Sequence, residues 1–301
     1  MGAITMPAHS EILRTSELTA TVGDNVADGE HAAGYNGIWR LVHRSEPASL
    51  FVPRYAGFNL EHILRGKAPR GEEEFFEPRR APMELRRLDE MTVELHQPPT
   101  PIARIESWTR FRFVEPDGID FFFRALPAEG RFPSGFVDFF WASYIHAPED
   151  KSIYFLGSNA CDQPREDPVW VQYCTQAHGR DSTVCRQGRF TPLPGDKHAS
   201  GGLMDSLSPA GWMEPFFYGR FGKMVLLVMF ELDERLRFSH SPTGGGLSPG
   251  ERTTNPAWDF QFIAPGPRVG EEIGFRAKIL YRPQMTRAEV LKEYAHFRGA
   301  Q

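Results

Sequence analysis

An aspartate inside an aromatic run is the most chemically pointed feature of this sequence: Asn255-Pro256-Ala257-Trp258-Asp259-Phe260-Gln261-Phe262. A carboxyl in such surroundings costs free energy unless it is partnered or kept neutral. Asp259 could move protons or bind hydroxyls while the Trp258 indole stacks on a ring. The plainer reading is a solvent-facing aspartate on a half-exposed strand. Just upstream, His240 precedes Gly244-Gly245-Gly246. A histidine near neutral pKa gives or takes a proton, and a glycine run lets backbone approach a ligand. A hairpin loop with a surface histidine explains the same residues. No Gly-Lys-Ser/Thr follows, so this is not a phosphate loop. Asp259 as base and His240 as acid form the first catalytic pair to consider.

The stretch Arg54 to His62 (RYAGFNLEH) is the next candidate. Polar groups here interrupt an apolar strand. On an uninterrupted strand Asn59 and Glu61 share one face and His62 takes the other. Arg54 and Asn59 suit the binding of hydroxyls. Glu61 and His62 suit acid–base work, as a reserve pair, or a divalent metal. A strand end with a satisfied polar cluster is the bland alternative. In Met213 to Arg220, the residues Glu214, Tyr218 and Arg220 could line a cleft opposite Trp258, whereas Phe216 and Phe217 read as core. His146, His178 and His198 read as loop or strand-end histidines. No His-Glu-x-x-His set is present, so the reading requires no metal and no other cofactor. No Gly-x-Ser-x-Gly elbow occurs. Cys161, Cys174 and Cys185 form no CxxC pair, which fits a reducing compartment.

These groups need elements to hold them. The chain has 301 residues, with 34 Lys+Arg against 39 Asp+Glu for a net charge of −5. A mildly acidic chain without a basic block is a poor nucleic-acid binder. Its longest apolar run, Met224 to Phe230, is strand length and far short of the roughly 20 residues of a membrane span. The first seven residues lack the charged and apolar regions of a signal peptide, so the reading is cytoplasmic, or periplasmic if a signal has been removed. With 28 Gly, 25 Pro and 24 Phe, the composition favours many short strands joined by turns.

The pattern follows suit. Residues 1–16 read as a flexible arm and 17–301 as one domain. Alternation places strands near 18–22, 38–43, 50–52, 91–95, 105–114, 119–125, 136–145, 153–156, 169–175, 224–232, 258–263 and 273–281. Pro116-Asp117-Gly118 reads as a hairpin turn, with positive φ at the glycine. Residues 65–82 read as a polar surface loop anchored by Phe75 and Phe76, and 175–215 as loop-like. One helix is expected at the C-terminus. Thr286 and Glu289 form a capping box, and Val290, Leu291, Tyr294 and Phe297 fall on one face. A dozen or more strands imply an all-β, large antiparallel β-sandwich with a short C-terminal helix.

The order of these segments resembles the galactose-mutarotase-like supersandwich group, which includes the aldose 1-epimerases. Three pieces carry the likeness: Gly34–Trp39 with Leu50–Pro53 and Ala56–His62; the aromatic strands from Trp108 to Leu126 leading to Phe139–Ile145; and Asn255–Phe262 ending with Arg276–Tyr281. In aldose epimerases a late strand carries a catalytic Glu with Gln two residues on; here Asp259 and Gln261 sit at a similar place. The epimerase His-x-Tyr-Phe-Asn stretch is absent, and His146 lies near where it would fall. The resemblance implies a carbohydrate-active enzyme that epimerises or mutarotates a sugar ring, with a small-molecule sugar or oligosaccharide as partner. Asp259 and His240 would be the acid–base pair. Arg54, Asn59, Glu214, Tyr218, Arg220 and Trp258 would bind the sugar. A polysaccharide lyase or other glycoside-processing enzyme, and a non-catalytic carbohydrate-binding protein, are the alternatives on the same fold.

Overall fold

The computed structural model describes residues 8–66, 70–129, 132–160, 167–188, 193, 197–198, 202–231 and 234–299. The chain opens with β1 (Ser10–Arg14), β2 (Leu18–Gly23), β3 (Gly37–His43) and β4 (Asn59–Leu64). Two one-turn helices follow, α1 (Glu72–Phe75) and α2 (Glu77–Arg80), then β5 (Glu84–Arg87), β6 (Thr92–Gln97), β7 (Ile105–Val114), β8 (Gly118–Pro127) and β9 (Phe136–Ala142). The middle of the chain supplies β10 (Ile153–Ser158), β11 (Val169–Tyr173), β12 (Thr183–Arg186), β13 (Lys197–His198) and β14 (Ser206–Trp212). It closes with β15 (Phe216–Phe221), β16 (Met224–Phe230), β17 (Leu236–Ser241), β18 (Ala257–Pro265), β19 (Ile273–Pro283) and α3 (Arg287–Gly299).

Strands β1, β2 and β3 pair in order as a small sheet. The others join one 16-stranded sheet whose main path runs β4-β9-β18-β17-β12-β14-β10-β15-β16-β19-β8-β7-β6-β5. Pairing is antiparallel except where β12 and β13 lie parallel to β14. Sandwich and C-terminal helix are as the composition implied. Segment 10–14, expected in a flexible arm, is a paired strand.

Alternation explains the layers. In β7, Ile105, Ser107, Thr109, Phe111 and Phe113 are buried, while the residues between them are more open. Their apolar members join Phe121, Phe123, Trp141, Phe260, Phe262 and Phe275 in one large aromatic core. Central strands have no open face: every residue of β9, β16 and β17 is buried. Outside the core, α3 covers a second apolar layer with Val290 and Tyr294 against Phe216, Tyr218 and Leu280. Its cap is as expected, with the Thr286 N–H donating to Glu289 Oε2 at 2.7 Å. Leu291, assigned to the same buried face, is instead exposed.

Three local readings change. Gly118 opens β8 and is not among the residues with positive φ. The expected loop at 65–82 contains α1 and α2, and Glu77 within it is buried, accepting the Ala103 N–H at 2.9 Å. The loop-like 175–215 segment supplies β12, β13 and β14; the first two are too short to show a strand period, and Pro209 and Gly211 interrupt it in the third.

On β15, Gly219 faces the core beneath Trp258, and a Cβ there would lie 2.3 Å from the indole. Gly219→Ala should therefore destabilise the protein by about 1–3 kcal/mol through overpacking. Denaturant unfolding checks this; an unchanged midpoint would refute the close packing.

Candidate active site

The site forms where β4, β9, β18 and β17 lie side by side. Register pairs Asn59 with Ala142 and Ser239 with Asp259. Phe260 pairs with Trp141 and Tyr144 bridges Ala257, so Asp259 lies across from Ala142. The row Asn59–Ala142–Asp259–Ser239 thus crosses the face opposite the aromatic core. The next row holds His62, Phe140, Gln261 and Arg237. Ala142, between Asn59 and Asp259, packs with Val52, Phe140, Tyr144 and Ala257 in a small buried cluster against which Leu203 and Met204 lie.

A β-bulge supplies the remaining group. Pairing of β4 with β9 shifts register between Leu60 and His62. The extra residue brings Glu61 and His62 to the same side, correcting the alternation expected from sequence. Glu61 is buried and Oε1 accepts from Arg79 Nη1 at 2.7 Å and from the Tyr144 hydroxyl at 2.6 Å. Its Oε2 lies 3.6 Å from His62 Nε2. His62 Nδ1 donates to the Phe75 carbonyl at 2.6 Å, and burial lowers the pKa of the ring.

Around this carboxyl stands a cluster of tyrosines. The Tyr35 and Tyr55 rings lie 4.5 Å apart, and Tyr144 is 5.2 Å from Tyr55. The Arg79 guanidinium lies 3.9 Å over Tyr35 and 4.8 Å from Phe76, an arrangement that favours a cation between rings. Tyr35 and Tyr55 are partly open to solvent. The glycine loop adjoins them, since a Cβ on Gly245 would sit 3.4 Å from Tyr144 Cβ. Asn255 holds that loop by donating from Nδ2 to the Gly245 carbonyl at 3.1 Å and to Ser248 Oγ at 2.9 Å.

Asp259 has no exposed surface. One oxygen accepts the Ser143 N–H at 2.8 Å; the other, Oδ2, has no hydrogen-bond partner. Burial, reinforced by the nearby Glu61 charge, pushes its pKa well above the usual carboxylate range. Burial likewise raises the Tyr144 phenol, with Glu61 adding to the effect. Both Asn59 side-chain atoms are buried without partners, as is Gln261 Oε1. Such groups are rare in folded proteins and call for an explanation.

Several expected residues lie elsewhere. His240 pairs with Trp258, so both share the core face, opposite Asp259. His240 Nε2 and Trp258 Nε1 both bond the Lys151 carbonyl at 2.8 Å, and burial lowers the histidine pKa to about 4. Neither shares a face with Asp259, because neighbours on a strand alternate. Glu214 accepts from the Tyr294 hydroxyl at 2.8 Å, and Tyr218 stacks on Tyr154 in the layer beneath α3. Arg220 lies 5.1 Å from that same Tyr154 ring. Arg54 is exposed, and among the described residues its side chain makes no ion pair or hydrogen bond. Asn59, Glu61, His62 and Asp259 are the sequence candidates brought together. Tyr35, Tyr55, Arg79 and Tyr144 were missed; aromatic and arginine residues side by side in Phe75-Phe76-Glu77-Pro78-Arg79-Arg80 were the available signal that this segment docks. Among the described residues, no group of three or more His, Cys, Asp or Glu is gathered to hold a metal ion. No helix there is long and apolar enough to cross a membrane.

The architecture is a galactose-mutarotase-like supersandwich. Among solved structures the chain is similar to a proposed aldose 1-epimerase from Escherichia coli K12, with a TM-score of 0.54 and 8% identity, over 91% of this chain and 99% of that one. It is also similar to a galactose mutarotase-like protein from Lactobacillus casei ATCC 334, with a TM-score of 0.48 and 10% identity, over 91% and 100% of the two chains. No family model and no curated protein matches the sequence.

The raised Asp259 pKa has a definite sign for stability. Above the unfolded value near 3.8 the unfolded chain releases this proton while the folded chain keeps it. Stability then falls as pH rises, by at most about 1.4 kcal/mol per unit, until the folded group ionises. Asp259→Asn has no proton to lose. Its stability relative to the parent should rise between pH 4 and 7 in denaturant titrations; a difference independent of pH would contradict the neutral carboxyl.

Proposed function

We propose that this protein is a carbohydrate-active enzyme that catalyses proton transfer at a sugar ring, interconverting anomers or epimers. The carrying observation is a pair of carboxyls on one sheet face in contrasting environments. Glu61 is fed by a guanidinium and a phenol, while Asp259 is held neutral by burial. Environments that separate two carboxyls in this way suit one for base and the other for acid.

In this reading Glu61 removes the proton of the anomeric hydroxyl and Asp259 protonates the ring oxygen. The bond from C1 to the ring oxygen breaks, giving the open-chain carbonyl form. Rotation about the C1–C2 bond presents the other carbonyl face, and the reverse transfers reclose the ring and restore both carboxyls. Tyr35 and Tyr55 supply stacking surface, Arg79 orients Glu61, and the unpaired Asn59 amide binds a hydroxyl. Leu203 and Met204 pack against this patch, and Gln261 Nε2 donates to the Met204 carbonyl at 3.3 Å. Substrate entry displaces them to uncover Asp259. The complete burial of Asp259 also favours a second reading, a sugar-binding protein in which that carboxyl is structural.

One-dimensional proton NMR of freshly dissolved α-anomers separates the two. For the enzyme, anomer exchange exceeds the buffer rate and falls by about 10²–10⁴ in Glu61→Gln and in Asp259→Asn. Binding of the same sugars without accelerated exchange would select the second reading. Neither binding nor acceleration across a panel of aldoses and oligosaccharides would overturn both.

A further inference from the structure

The sheet carries a recess far from Asp259 along the strand order. Its walls come from β6, β7, β8 and β19, and its volume is about 440 Å³, within the usual range of small-ligand sites. Two neighbouring cross-strand rows build it. The first is His96–Trp108–Arg124–Gly274, and the second is Glu94–Arg110–Phe122–Arg276.

In the first row the three side chains form a stack. His96 lies 5.2 Å from the Trp108 ring at 15°, and the Arg124 guanidinium lies 4.0 Å over that ring. The row ends at Gly274 for a steric reason: a Cβ there would lie 2.3 Å from the Phe123 carbonyl oxygen. The glycine lets the β19 backbone approach β8 closely beside Arg124. In the second row the half-buried Phe122 sits between two arginines. The aromatic core occupies the other face of these strands and already holds Phe111, Phe113, Phe121 and Phe123. Trp108 and Phe122 are therefore additional to what the core uses.

Charge narrows the ligand. Arg110 pairs with Glu94 at 2.7 Å, Arg124 with Glu272 at 3.2 Å, and Arg276 with Glu231 at 2.6 Å. Three cations thus meet three anions. The arginine side chains remain 42–55% exposed, and open pairs of this kind add little stability. A polyanion would meet three carboxylates, and a simple cation three guanidiniums. A neutral polyhydroxylated chain suits the recess, with C–H faces against Phe122 and hydroxyls shared between the arginines and glutamates.

We propose that this recess is a binding site for a neutral oligosaccharide segment, distinct from the Glu61–Asp259 site. The choice of a glycan among neutral ligands rests on the sugar-enzyme reading above. Such a site would hold a polymer against the protein while one end or branch is processed elsewhere.

Native affinity electrophoresis of the full chain, in gels containing laminarin, hydroxyethyl cellulose or polygalacturonate, tests this directly. A neutral polysaccharide should retard the parent and Glu61→Gln alike. Phe122→Ala and Arg276→Ala should each weaken that retardation at least tenfold, with anomer exchange retained. Thermal unfolding identifies any variant that fails to fold, and the other then decides. Retardation by polygalacturonate alone, by none of the polymers, or undiminished in a folded variant would overturn the proposal. Anomer exchange is a separate readout: its absence alongside Phe122-dependent retardation would remove the enzyme reading and leave the recess standing.

Discussion

Complete burial of a carboxyl in the middle of a two-faced sheet governs the rest of this structure. Strand β18 has an aromatic core on one side and a second packed layer on the other. Water cannot solvate Asp259 there, and one backbone N–H is its hydrogen-bond donor. An ionised carboxylate in that position is costly, so the proton stays. Gln261 on the same face meets the same constraint by donating to Ser239 Oγ at 2.6 Å and to the Met204 carbonyl.

Glu61 plays the complementary part. It joins segments far apart in sequence: β4 supplies the carboxyl, α2 the guanidinium, and the chain after β9 the phenol. Arg79 also donates from Nε to the Gly34 carbonyl at 2.7 Å, tying the loop before β3 to the same point. A planar guanidinium serves this role because it presents donors at its edge and an apolar face to Tyr35 and Phe76. His62 fixes α1 through the Phe75 carbonyl. One carboxyl therefore organises this end of the sheet face, and the tyrosines pack around it.

Much of the strand framework was legible because it is local. Period-two alternation marks β7 and β8, and the Thr286–Glu289 box marks the start of α3. Polar residues in apolar strands likewise drew attention to Asn59, Glu61, His62 and Asp259. The pairing of Asp259 with His240 failed for a geometric reason, since the cross-strand partner of Asp259 is Ser239, one residue away. Tyr218 and Arg220 failed because they lie on the side of β15 toward α3 and Tyr154, and Glu214, just before that strand, is bonded to Tyr294 of α3. Arg79 was hidden in a segment whose charge and prolines resemble a solvated loop, although its aromatic neighbours bury it.

The sequence by itself determined which residues were chemically unusual and that the chain would fold as a layered β structure, because composition, alternation and capping act over a few neighbouring positions. Only the tertiary structure decided which of those residues share a face. Register and a single bulged residue at Glu61 set that outcome, and both depend on strands that meet only in the folded sheet.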